Sequence, residues 1–209
     1  MKRILLLVFC ILFVYSSVWA IPITLYIRGP IDDTTLPSLW WQYRTLYDSY
    51  TANSLVIDAI TVVIISPGGQ VYEAIAIYDY LVSLELQGIK VTTVASGYCA
   101  SAATIILEAG DVREATAHTY LMVHSPLMML QQGDILTKTN LRESEGALER
   151  CRQRIIGLFA SRMHTNPARL DKYFQDTYWE PDPTTFMQLG FIDKVIYSAK
   201  EIVYLEKNK

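Results

Sequence analysis

VTTVASGYCASAATIILE, from Val91 to Glu108, is the stretch on which the reading of the chain turns. Its β-branched opening, Val91 to Val94, reads as a buried strand, and Ser96-Gly97 reads as a break. The small residues Cys99-Ala100-Ser101-Ala102-Ala103 then lead into an apolar helix. A serine at such a turn, flanked only by small side chains, can stand exposed at the helix N-terminus. Unpaired backbone N–H groups there favour negative charge, which suits a nucleophile that creates an oxyanion. Taken alone, the same residues fit better a small-residue helix start packed closely on a sheet.

On the N-terminal side, AITVVII (Ala59 to Ile65) reads as a second buried strand and ends in Ser66-Pro67-Gly68-Gly69. A helix follows from Gln70, with apolar residues at Val71, Ala74, Ile75, Ile77, Tyr78 and Leu81 and Gly88 as its C-terminal cap. Earlier still, IPITLYIR (Ile21 to Arg28) alternates like a strand, and Thr35 to Tyr50 carries a helical apolar rhythm. On the C-terminal side, Gly110 is the expected cap of the serine helix and Thr119 to Val123 the next strand. A long helical stretch spans Asp134 to Phe159, Asn166-Pro167 marks a stop and restart before a short helix over Ala168 to Phe174, and FIDKVIYSA closes the domain as a strand. Strands alternating with helices at this spacing predict an α/β fold with mostly parallel pairing.

The 209 residues are 51% hydrophobic and 19% charged, enough for one domain with an ample core and no linker. A net charge of −3 gives no electrostatic footprint for nucleic acid. At the N-terminus, Lys2-Arg3 precede an apolar run from Ile4 to Tyr15 and a Val18-Trp19-Ala20 site, the pattern of a secretory signal. The run is short for a membrane span, which needs ~20 apolar residues. The expected organisation is therefore a signal peptide or membrane anchor over residues 1–20 and one domain over 21–209, placing the protein outside the cytoplasm or tethered to a membrane. Of three cysteines, Cys10 lies in that segment, and Cys99 and Cys151 are too far apart for a metal signature or a disulfide framework.

Three further features could carry chemistry. Gly68 and Gly69 let backbone N–H groups approach a bound group closely, although a plain strand-to-helix turn reads the same way. His124 ends the strand YLMV, where α/β sheets place their sites, although a rim histidine satisfied by backbone fits too. Asp176 follows a short helix, with Asp171, Glu180 and Asp182 as nearby competitors. His118 and His164 sit in polar surroundings and read as solvated.

The ISPGG turn, a helix containing AIYD, the GYCASAA serine turn, the strand ending MVHSP and a late DTY…LGFID segment occur in that order. Together they resemble the ClpP family of serine peptidases over roughly Ile23 to Val195. The resemblance implies a ClpP/crotonase-like spiral of repeated ββα units with a protruding handle helix. It also implies seven-membered rings that stack around a proteolytic chamber. On it, Ser101 is the nucleophile, His124 the general base, Asp176 the orienting carboxylate, and the N–H groups of Gly69 and Ala102 the oxyanion donors. An ungapped alignment from Gly190 would put Tyr178 where the aspartate belongs. Asp134 to Phe159 corresponds to the handle helix. The implied activity is hydrolysis of peptides or unfolded proteins through an acyl-enzyme, with no metal and no organic cofactor.

The first strand starts within a few residues of Ala20, so a chain cleaved there would lack most of the hairpin that meets an unfoldase in typical members. That argues against an ATP-dependent unfoldase as a partner. Two alternatives stay open. A Ser-Lys membrane peptidase resembling SppA or the NfeD-associated proteases would use Lys138 as base. A non-catalytic crotonase-like scaffold would use the same fold only to assemble.

Overall fold

The computed structural model describes residues 20–129, 137–175 and 177–197. Residues 1–19 of the segment 1–20 proposed above as a signal or anchor, and Asp176, lie outside the described residues, as does the start of the stretch from Asp134. The expected α/β architecture is what the chain adopts. Strands β1 (Ala20–Arg28), β2 (Val56–Ser66), β3 (Lys90–Ala100), β4 (Val112–Thr116), β5 (Tyr120–Met122) and β6 (Lys194–Ile196) form one sheet. Its order is β1-β2-β3-β4-β6, with β5 paired to β3, and every one of these pairings is parallel. The helices are α1 (Thr35–Ala52), α2 (Val71–Leu86), α3 (Ala102–Leu107), α4 (Lys138–Arg162), α5 (Pro167–Leu170) and α6 (Pro183–Gln188).

β3 organises the sheet. Its first half pairs with β4 through Thr92 to Ala95, and its second half pairs with β5 through Tyr98 to Ala100. The strand therefore does not stop at the expected Ser96-Gly97 break. Gly97 takes φ 69°, and the pairing with β2 slips between Ile64 and Ser66. This irregularity lets one strand serve two neighbours. β4 has no strong sequence signal, because VREAT alternates over only five residues and two of them are charged.

All six residues of α3 are buried, which makes the helix that begins after Ser101 the centre of the core rather than its cover. Ile60, Val62 and Ile64 of β2 join Ile77 and Leu81 of α2 and Ile105 and Ile106 of α3 in that core. A smaller cluster of Val63, Val94 and Ile196 is separate from it. The edge strand β1 is closed by α1, where Gln42 accepts from the Tyr26 N–H at 2.8 Å and donates to the Tyr26 carbonyl at 2.9 Å. That pair blocks further strand addition at this point.

Gly88 closes α2 at φ 87° as expected. Gly110 does not cap α3, whose C-cap is Glu108. It is small for another reason, since a Cβ there would lie 2.5 Å from Thr93 Oγ1, the hydroxyl that donates to the Leu107 carbonyl at 2.6 Å. Asn166 and Asp182 cap α5 and α6, each followed by proline in the first turn.

A charged cluster fixes the far end of α3. Glu108 is fully buried and bonds Arg113 at 2.7 Å. Arg113 also donates Nε and Nη2 to the two oxygens of Asp193, at 3.0 and 2.8 Å. Burial pushes the Glu108 carboxyl up to about 8, with Arg113 pulling the other way. Replacing Arg113 by Met leaves the Glu108 carboxyl in the core without this hydrogen bond and releases Asp193. Urea unfolding should register a loss of about 3 to 5 kcal/mol. Adding Glu108→Leu, which removes the buried polar group, should recover part of it, and an unchanged midpoint in the single variant would show the cluster to be dispensable.

Candidate active site

Ser101 sits between β3 and α3 at φ 54° and ψ −126°, a conformation that a side chain other than glycine seldom takes. Three contacts hold it there. Its N–H donates to the Met122 carbonyl at the end of β5 at 2.7 Å. Its own carbonyl accepts from the Thr104 N–H at 3.0 Å and from Thr104 Oγ1 at 2.7 Å. The Ser66-Pro67-Gly68-Gly69 turn presses on the elbow from the side. A Cβ on Gly68 would lie 2.6 Å from the Ala100 carbonyl and 2.7 Å from the Ser101 Cβ. At Gly69 a Cβ would meet the Ile31 carbonyl at 2.2 Å, because Ile31 and this turn exchange backbone hydrogen bonds. Both glycines are thus required by close approach, which a PGG string alone only hints at.

His124 follows the last residues of β5 and brings its Nε2 to 2.8 Å from Ser101 Oγ. The structure therefore joins two side chains 23 positions apart that the sequence nominated separately. Burial lowers the His124 pKa below its usual 6.5, with the Ser125 backbone pulling the other way. A neutral imidazole that accepts the serine proton at Nε2 carries its own proton on Nδ1. That Nδ1 is buried and has no hydrogen-bond partner among the described residues.

The residues that flank position 176 are bonded to the neighbours of His124. Ser125 donates its N–H to the Gln175 carbonyl at 2.9 Å and its hydroxyl to the Phe174 carbonyl at 2.6 Å. Val123 and Trp179 exchange backbone hydrogen bonds at 3.0 and 2.9 Å. Asp176 itself is outside the described residues. Its three competitors are engaged elsewhere. Asp171 takes Arg152 at 2.6 Å, Glu180 accepts from the Tyr120 hydroxyl at 2.5 Å, and Asp182 caps α6. Tyr178, the alternative occupant of the aspartate position, meets His124 through its ring rather than through a hydrogen bond.

Gly69, Ala102, Ser101 and His124 line one cleft of about 230 Å³. Its other walls are mainly apolar, with Val71, Ile105, Ile155 and Phe174 among them. As the first residue of α3, Ala102 has an N–H that the helix ladder leaves open. Lys138 opens α4 in an exposed position, and the hydroxyl of Ser101 is engaged by His124 instead. Cys99 is fully buried and Cys151 partly so, and both are free thiols. His118 and His164 are exposed. Among the described residues no group of three or more His, Cys, Asp or Glu side chains is arranged to hold a metal ion.

A family model described as Clp protease matches residues 24–199. The ATP-dependent Clp protease proteolytic subunit of Porphyromonas gingivalis is 28% identical over 165 residues, which cover 73% of this chain and 71% of the relative. That of Bacteroides thetaiotaomicron is 29% identical over 168 residues, with the same shares. The proteolytic subunit 1 of Protochlamydia amoebophila is 30% identical over 146 residues, 68% of each chain. Among solved structures, a ClpP1 mutant from Listeria monocytogenes matches with a TM-score of 0.68 at 22% identity, over 85% of this chain and 92% of that one. With the ClpP fold and the matched family together on a chain of this length, the protein belongs to the Clp protease family and is a serine-type peptidase.

Proposed function

We propose that the chain cleaves peptides or unfolded proteins through a Ser101-His124-Asp176 triad and an acyl-enzyme intermediate. The observation that carries this reading is the 2.8 Å contact between Ser101 Oγ and His124 Nε2 at a strained elbow. His124 takes the Ser101 proton as Oγ attacks the scissile carbonyl, then returns it to the leaving amine. The N–H groups of Gly69 and Ala102 receive the oxyanion, each donor contributing about 3 kcal/mol to the transition state. Water enters as the second nucleophile and frees Ser101. Asp176 accepts from the Nδ1–H of His124. Support for this comes from the orphaned Nδ1, from the chain anchored to Ser125 and Val123 on either side of position 176, and from the engagement of Asp171, Glu180 and Asp182 elsewhere.

The chain assembles into stacked seven-membered rings through α4 in this reading, and the apolar walls of the cleft select an apolar residue on the acyl side of the scissile bond. Residues 1–20 support export or membrane attachment, and an ATP-driven unfoldase is not expected as partner.

Labelling of the purified protein by a fluorophosphonate, in which Ser101 Oγ displaces fluoride from phosphorus, tests the triad. Ser101→Ala and His124→Ala should abolish labelling, and Asp176→Ala should slow it by about 10⁴-fold. Lys138→Ala should leave it unchanged; loss in that lane alone would move the base to Lys138. An assembled, folded sample that does not label at all would favour the non-catalytic scaffold.

Gly68→Ala tests the elbow from outside the triad. Its Cβ has to displace Ala100 or Ser101, which lie 2.6 and 2.7 Å away. A shift of this order at a reacting atom costs roughly 100-fold, so labelling of the folded variant should fall by about that factor. Labelling at the wild-type rate would mean that the turn does not set the position of Ser101.

A further inference from the structure

His124 is held in its working orientation without a polar contact to Nδ1 among the described residues. Its ring does have a neighbour. The Tyr178 ring stands edge-on to the imidazole, with centroids 5.2 Å apart and planes at 76°. This contact is fixed by backbone register. Val123 and Trp179 form an antiparallel bridge with both hydrogen bonds made. In an antiparallel pair the next residues along, His124 and Tyr178, stand directly opposite each other. The bridge is anchored in turn by the Trp179 ring, which packs on Tyr173, Phe186 and Phe191 at centroid distances of 4.2, 5.7 and 5.3 Å. The backbone of Tyr178 therefore stays opposite His124 as long as the aromatic core behind it is closed.

Tyr178 is 60% exposed. A large aromatic side chain left open to solvent contributes little to the core, yet this one covers the half-buried imidazole. We infer that Tyr178 is a positioning residue: its ring walls His124 so that Nε2 stays aligned on Ser101 Oγ and water is kept from the imidazole. The inference rests on the triad reading above, because it concerns how His124 is held for proton transfer. The ring does this work and the hydroxyl does not, since the contact recorded with His124 is ring to ring.

Other titratable groups on the strand that leads to His124 and on the segment of Tyr178 are Tyr120 and Glu180, which bond each other at 2.5 Å, and Asp176 lies outside the described residues. None of the described ones is a cause of the low His124 pKa, whose largest cause is burial. Removing the ring that covers the imidazole hydrates it and raises its pKa towards the usual 6.5.

The test compares Tyr178→Ala and Tyr178→Phe in the full chain, with assembly and thermal unfolding measured alongside to exclude misfolding. Fluorophosphonate labelling of Y178F should stay within about twofold of wild type. Labelling of Y178A should slow by about tenfold, with the midpoint of its pH profile moved upward. A Y178F as slow as Y178A would overturn the role given to the ring. A folded Y178A with the wild-type rate and midpoint would overturn the inference altogether.

Failure of the triad reading shows separately, as a wild-type protein that does not label at Ser101. The imidazole titration of His124 by NMR, in Ser101→Ala with and without Tyr178→Ala, needs no activity. Only three histidines have to be resolved. An upward shift on loss of the ring supports the inference, and superimposable curves overturn it.

Discussion

The backbone of Ser101 is the constraint on which the site depends. A residue with a Cβ costs about 1 to 3 kcal/mol in such a region of φ and ψ unless its surroundings over-determine it. Here they do. The N–H of Ser101 is taken by the end of β5, its carbonyl is taken twice by Thr104, and its flank is closed by Gly68. The same bond to Met122 that bends the elbow also fixes where β5 ends, and His124 lies two residues beyond. One backbone hydrogen bond thus sets the serine and the strand that delivers its base. This is why two residues with no sequence proximity meet at 2.8 Å.

The sheet makes that bond possible by an unusual division of β3. Had the strand ended at Ser96-Gly97, β5 would have had nothing to pair with, and His124 would have had no fixed address. Gly97 at φ 69° and the slipped register opposite Ser66 carry β3 four residues further, into contact with β5. The slip also pairs Ser66 with Cys99, so the turn that holds Gly68 and Gly69 arrives beside the elbow. Cys99 belongs to this packing. It is fully buried, burial pushes its thiol up, and it has no part in the chemistry.

Much of this was legible in the residues. The strands at Val91 and Ala59, α1, α2 and the serine turn announce themselves through β-branched runs and helical apolar spacing, because their burial is set by local pattern. The nomination of Ser101, His124 and the two glycines followed from where such residues sit relative to strand ends. What the sequence could not display was non-local. β4 is a strand through its parallel pairing with β3 and with β6, the latter 80 positions away, and no periodicity in VREAT signals it. For α6 a local signal does exist, the N-terminal capping pattern of Asp182-Pro183 with Thr185, but the neighbouring prolines give the same stretch the look of a turn. Gly110 follows the serine helix as a cap would, yet what it supplies is room for Thr93, a residue 17 positions away. The edge-on meeting of Tyr178 and His124 depends on an isolated bridge that no pattern of one or two strand residues could announce.

The long helix α4 grips this arrangement from both sides. At its C-terminal end Arg162 donates to the carbonyls of Glu108, Ala109 and Gly110, at 2.8, 3.2 and 2.6 Å, closing the end of the helix that begins after Ser101. The same guanidinium holds Glu85 of α2 at 3.1 Å. Nearer its middle, Arg152 holds Asp171 at 2.6 Å, and Gln175 bonds back to the Asp171 carbonyl at 2.6 Å. Asp171 to Gln175 is the segment whose carbonyls receive Ser125, next to His124. One helix is therefore tied by arginine to the serine's side of the site and to the histidine's side. Arginine suits both ties, since a rigid fork of donors can hold several carbonyls or a carboxylate in a fixed direction where a lysine could not. A tilt of α4 cannot be absorbed at one end without reaching the other, so the relative placement of Ser101 and His124 follows the placement of α4 on the core. The segment that supports the imidazole and the helix that begins after the nucleophile share a single mechanical reference.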